Sequence, residues 1–135
     1  MNIKYQSLDK ENALQQIELF ASLDIVIGAH GAGLTNIIFM SPKSFLYELF
    51  PPFWQFACYK RLASNMDVQY LKSTAVGEKG PECNKNEKST LCQYNGIRDR
   101  DFTVDVSTVL HTVKKAIVAV QTKKYPSISF LLDVC

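Results

Sequence analysis

The residue types able to do chemistry are concentrated in one stretch of this 135-residue chain, Asp24-Ile-Val-Ile-Gly-Ala-His-Gly-Ala-Gly-Leu-Thr-Asn36. A run of β-branched residues, Ile25 to Ile27, ends at Gly28, and a helix is expected to start close after His30-Gly31-Ala32-Gly33. Ligands of open α/β sheets bind outside the carboxyl ends of the strands, and this turn holds such a position. Glycines let backbone come close to a ligand, and the first amides of a helix have no intrahelical partner. Together with the helix dipole they favour an anion, a pyrophosphate above all. His30, Thr35 and Asn36 add side-chain donors. The alternative is a glycine turn that only packs tightly against a neighbour.

The spacing excludes several better-known sites. Asn36 stands where a dinucleotide fingerprint needs its third glycine, and no Gly-Lys-Ser/Thr follows as in a P-loop. No Gly-x-Ser-x-Gly nucleophile elbow accompanies the His-Gly-Ala-Gly run.

Elements around the turn must hold it in place. Asn2 to Gln6 alternate and predict a short strand. From Asp9 to Leu23 the positions Ala13, Leu14, Ile17, Phe20 and Ala21 recur at helical spacing, with Ser7 or Asp9 as candidate caps. The apolar strand at Ile25–Ile27 suits a parallel sheet covered on both faces. A helix over 34–40 stops at Pro42, Phe45 to Phe50 is the next strand, and Pro51-Pro52 punctuate. Residues 53–65 predict a helix with Phe56, Tyr59, Leu62 and Ala63 on one face, and Val68 to Leu71 a further strand. This alternation argues for an α/β parallel sheet. Ser73 to Asp101 break it as a long polar loop. Asp105 then caps a last helix, with Val104 stapled on Val109 and a stripe of Val106, Val109, Leu110, Val113, Ile117 and Val120. The domain is expected over 1–121, with 122–135 as a tail.

Composition bounds the partners. Net charge is +2, from 15 basic and 13 acidic residues, and 47% of residues are hydrophobic. Neither nucleic acid nor an anionic membrane is implied as the main partner. The longest uncharged run, between Asp24 and Lys43, carries three glycines, His30, Thr35 and Asn36, which disfavours a membrane span. Met1 to Tyr5 lack a signal-peptide core, so the protein is cytosolic or its targeting segment lies upstream. Cys83 and Cys92 share one loop and can cross-link in an oxidising compartment. Cys58 is expected to be a buried small hydrophobe. No Cys/His cluster has zinc spacing.

The block from Asp24 to Pro42, continued by Leu46-Tyr-Glu-Leu-Phe-Pro51, resembles the signature of the family 61 glycosyltransferases. The order of elements is similar from about Tyr5 to Val120, and Arg98-Asp-Arg-Asp101 is a weaker point of likeness. The resemblance implies a Rossmann-like parallel sheet flanked by helices, the C-terminal half of a GT-B enzyme, with the acceptor half absent from this chain. It also implies a substrate-binding set of His30, Gly31, Ala32, Gly33, Leu34, Thr35, Asn36 and Glu48. His30, Gly31 and Gly33 would meet the diphosphate, and Thr35 and Asn36 would lie at the helix start beside it. Glu48 would accept hydrogen bonds from ribose hydroxyls, a role open to any carboxylate; the alternative is a solvated strand-end acid.

The implied reaction is transfer of GlcNAc or xylose from a UDP-sugar to a protein or glycan hydroxyl, with inversion. It needs a general base and positive dipoles for the leaving diphosphate. No base is assigned: His111 reads as a surface residue of the last helix, and a base from the missing half is the economical choice. No cofactor or metal is expected, the UDP-sugar being a co-substrate; Asp99 and Asp101 have metal-motif spacing but are placed in a remote charged loop. The full-length protein is expected in the Golgi or endoplasmic reticulum lumen, with a membrane anchor only if an upstream segment supplies one. The competing reading is a non-catalytic nucleotide-binding or interaction module, favoured by length alone.

Overall fold

The computed structural model describes residues 2–8, 10–120 and 127–131. Five strands, β1 (Asn2–Gln6), β2 (Ile25–Ala29), β3 (Phe45–Phe50), β4 (Gln69–Thr74) and β5 (Ser127–Leu131), form one sheet in the order β1-β5-β2-β3-β4. Every pairing is parallel. The helices are α1 (Ala13–Ala21), α2 (Cys58–Asn65) and α3 (Val106–Val120), with a 3₁₀ helix over Ala32–Phe39. The result is a parallel α/β fold compatible with a Rossmann-like arrangement.

Strand alternation divides the apolar run of β2 between two cores. Val26 and Leu46 point to the face covered by α1, the 3₁₀ helix and α2, where Phe20, Leu34, Ile37 and Ala63 are buried with them. Ile25, Ile27 and Tyr47 point to the opposite face, against Val109, Val113, Ala116 and Val120 of α3. The chain thus steps one way across the sheet on one face and returns on the other. Reversal of direction with a change of face keeps a single crossover handedness.

Several elements differ from expectation, each for a local reason. α1 starts at Ala13 because Asn12 caps it: Asn12 Oδ1 accepts from Gln15 N at 3.0 Å, and Gln15 Oε1 accepts from Asn12 N at 2.9 Å. That reciprocal box outcompetes a start near Ser7, and the other candidate, Asp9, lies outside the described residues. Residues 53–57 are not helical. Phe53 follows two prolines with φ 64°, a left-handed conformation that a bulky side chain rarely adopts, and this holds the chain out of a helix until Cys58. On α3, Asp105 does cap, accepting from Thr108 N at 2.9 Å, and Val104 packs with Val109. The buried stripe is Val109, Val113, Ala116 and Val120, however, while Val106 and Leu110 are exposed.

The expected tail is the largest correction. Ser127–Leu131 pair with β1 on one side and β2 on the other, in the interior of the sheet. Five residues show too little periodicity to announce a strand; the open slot between β1 and β2 makes them one.

Candidate functional site

The turn after β2 opens onto a cleft of about 620 Å³ at the carboxyl edge of the sheet, lined on one side by His30, Gly31 and Ala32. The chain reaches it because His30 N still bonds Leu49 O at 2.8 Å, as the last rung between β2 and β3. The 3₁₀ ladder begins with Leu34 N donating to Gly31 O at 3.1 Å, so the amides of Ala32 and Gly33 precede it without an intrahelical partner.

His30 is held from several directions. Its Nδ1 lies 2.5 Å from Glu48 Oε1, and Tyr70 Oη donates to Glu48 Oε2 at 2.5 Å. Its ring stacks on Phe50 at 5.1 Å between centroids, with Tyr59 at 5.3 Å and the edge of Phe56 at 6.4 Å. β2, β3 and β4 contribute His30's approach, Glu48 and Tyr70: Gly28 lies opposite Glu48, and Tyr70 lies opposite Leu46, two residues before Glu48. Burial, and then the bond to the Glu48 carboxylate, push the Tyr70 phenol well above its ordinary range. Burial likewise raises Tyr59, partly offset by a hydrogen bond with the Thr35 hydroxyl. It also raises the Cys58 thiol, with the charge of Glu48 adding to the effect. Cys58 is therefore a protonated thiol lining the cleft, and it is only half-buried, not the core residue expected.

The residues singled out from sequence divide into distinct groups. His30, Gly31 and Ala32 line the cleft, and Gly33 is half-buried behind them. Leu34 is wholly buried in the core, which leaves its side chain out of any ligand's reach. Thr35 serves Tyr59, and Asn36 Nδ2 donates to Gln16 Oε1 of α1 at 2.9 Å, so both side chains brace the 3₁₀ helix. Glu48 is fully buried with both oxygens engaged. A direct ribose contact needs an accessible oxygen, and in this geometry Glu48 stands behind His30 instead.

The rest of the lining differs from expectation. Trp54, Phe56, Tyr59 and Tyr94 give the cleft an aromatic surface, and Arg98 and Asp99 line it as well. The expected structureless loop holds a short 3₁₀ turn, Pro81–Cys83, and a π-helical turn, Cys92–Arg98. A disulfide joins Cys83 to Cys92, and with Ile97 and Trp54 it makes a small core of its own. Gly96 permits the approach: a Cβ there would lie 2.7 Å from Cys83 Sγ. The π turn, closed by Asp99 N donating to Tyr94 O at 2.8 Å, ends with Arg98 stacked over the Tyr94 ring at 4.2 Å. Asp99 accepts from Arg98 twice, at 2.5 and 3.0 Å. Arg98 and Asp99 thus line the cleft, and Asp99 does not stand in a remote loop as expected. The signal was present in the Arg98-to-Asp101 likeness, but nothing local says which way such a run faces. His111 is exposed on α3, as expected.

Among the described residues no helix is long and apolar enough to cross a membrane, and no group of three or more His, Cys, Asp or Glu could hold a metal ion.

Comparison with known proteins bears out the family resemblance. Residues 1–47 match the family model described as Glycosyltransferase 61, a span that contains the whole His30 turn and stops one residue before Glu48. The EGF domain-specific O-linked N-acetylglucosamine transferase of Bos taurus is 28% identical over 126 residues, 93% of this chain and 23% of the relative. Its counterpart in Xenopus laevis is 33% identical over 92 residues, 68% of this chain and 17% of the relative. That of Mus musculus is 28% identical over 105 residues, 78% of this chain and 19% of the relative. The chain therefore spans about a fifth of the length of the curated relatives it matches. No solved structure matches it.

Proposed function

Starting from a chain that carries a family 61 glycosyltransferase segment, we propose that the cleft binds the nucleotide diphosphate of a UDP-sugar donor and serves a glycosyltransferase active site completed by a second, acceptor-binding half in a GT-B arrangement. One observation carries this reading: the turn of the matched segment, His30-Gly31-Ala32, lines one cleft together with Arg98 and the rings of Trp54, Phe56, Tyr59 and Tyr94. Amides ahead of a helix and a guanidinium form an anion site, and aromatic faces suit a nucleobase. In that site the sugar leaves its diphosphate by direct displacement at the anomeric carbon with inversion, and the acceptor is a protein or glycan hydroxyl. Arg98 and the turn take up the charge developing on the leaving group. The base that deprotonates the acceptor comes from the other half.

We also propose that the diphosphate is held without a divalent cation: both oxygens of Asp99 are already occupied by Arg98, and the amides of the turn and helix start supply the positive field. The Cys83–Cys92 disulfide supports passage through an oxidising compartment, the lumen of the secretory pathway. Titration calorimetry with UDP, with and without EDTA, tests the donor site. Weak binding indifferent to EDTA is expected; binding abolished by EDTA would show that a cation carries the diphosphate, and no binding of UDP or UDP-GlcNAc would overturn the donor site itself.

A further inference from the structure

The cleft displays His30, yet the groups that fix this histidine are hidden beneath it. We infer that Glu48 and Tyr70 are positioning residues, a buried relay that holds the His30 ring with its proton on Nδ1 and so presents Nε2 to whatever occupies the cleft. The inference goes beyond the donor-site reading and rests on it only where a nucleotide is the probe.

The hydrogen-bond pattern carries the assignment. The Tyr70 hydroxyl, whose phenol holds its proton firmly, donates to Oε2 of Glu48. Oε1 is then the oxygen that meets Nδ1 of His30 at 2.5 Å. A carboxylate is an acceptor only, so the proton between them belongs to the ring nitrogen. A histidine free in water mixes tautomers and rotates, whereas the partner of one ring nitrogen decides what the other can do. Here the ring is also clamped by Phe50 on one face and by Tyr59 and Phe56 around it, so the bond sets orientation as well as tautomer. Glu48 has no exposed surface. Burying a carboxylate is costly unless its oxygens are satisfied, and both of its partners here are committed to that task. Such a cost at the centre of a sheet edge is consistent with a role in holding His30, since an apolar residue would fill the same space more cheaply.

Nitrogen-edited NMR of the His30 ring, recorded on the free protein, is the direct test. The parent is expected to show a proton on Nδ1. The double variant Glu48→Leu/Tyr70→Phe removes the acceptor without leaving an orphaned hydroxyl, and it should lose the Nδ1 proton signature and bind UDP roughly tenfold more weakly. If the double variant does not fold, Tyr70→Phe alone keeps the ring and removes one donor, and it should still shift the Nδ1–H resonance. A bare Nδ1 in the parent, or an unchanged ring signature in whichever variant folds, would overturn the relay. Because the signature is read without nucleotide, a parent that fails to bind UDP would sink the donor site and leave the relay standing.

Discussion

The two walls of the cleft are built in different ways. The His30 wall is an extension of the sheet: His30, Gly31 and Ala32 follow directly on β2, Glu48 of β3 and Tyr70 of β4 hold His30, and the support is the continuous core around Val26, Leu46 and Phe20. The Arg98 side, Tyr94 to Asp99, hangs on an excursion between β4 and α3 whose core is Cys83, Cys92 and Ile97 packed on Trp54 and cross-linked by one disulfide. The first wall inherits the stability of the whole domain. The second has too little apolar area to be stable by burial alone, and a covalent link replaces what the core lacks. A rigid scaffold on one side and a locally stapled segment on the other allow one wall to vary without disturbing the other.

Phe20 is fully buried in the core under the His30 wall. Phe20→Ala is expected to cost about 3–5 kcal/mol in denaturant unfolding and to destroy both walls in one transition. Two separate transitions would show that the excursion folds independently of the sheet. Removing the staple with Cys83→Ser/Cys92→Ser should cost about 2–3 kcal/mol, confined to one side. Hydrogen exchange should then speed up over residues 80–99 while the amides of β2 and β3 keep their protection. Loss of protection throughout the sheet would mean that the excursion is integral to the core.

Arg98→Ala removes a charge-assisted donor and should weaken UDP and inorganic pyrophosphate alike, by roughly tenfold or more. His30→Ala should do the same from the other wall, and calorimetry that finds either variant unchanged removes that wall from the diphosphate site. The smallest effect lies on α3. Hydrogen bonds from the side chains of Thr108 and Ser107 lower the Asp105 carboxyl from its usual 3.8 to about 2. A depressed folded-state value means that the contribution is complete above pH 4 and is lost as pH falls towards 2. Thermal melts of the parent should therefore decline across that window slightly more than those of Asp105→Ala, which lacks the titrating cap at every pH.

Much of the fold could be read locally. Three interior β-branched residues ending at a glycine gave away β2, Phe45–Phe50 was found at its boundaries, and the cap at Asp105 marked α3. Helix starts were less legible where two signals competed: the Asn12–Gln15 box overrode an earlier start, and Phe53's left-handed backbone delayed α2. At the site, the turn His30-Gly31-Ala32 was legible because a strand-to-helix junction has a fixed relation to the sheet edge. The aromatic and Arg98 wall was not, since its residues are brought there by contacts distant in sequence.

By itself the sequence determined the alternation of strands and helices, the location of the glycine turn at the sheet edge, and the pairing available to Cys83 and Cys92, because each depends on neighbours a few residues away. Tertiary structure alone decided three other matters. It placed Ser127–Leu131 inside the sheet, where β1 and β2 left an unpaired slot. It turned Arg98 and Asp99 into the cleft, through a disulfide core packed on Trp54. And it converted Glu48 from a strand-end acid into the buried partner of His30 and Tyr70. Side-chain alternation shows which face of a strand a residue takes, but burial and hydrogen-bond partners depend on what the rest of the chain places over that face.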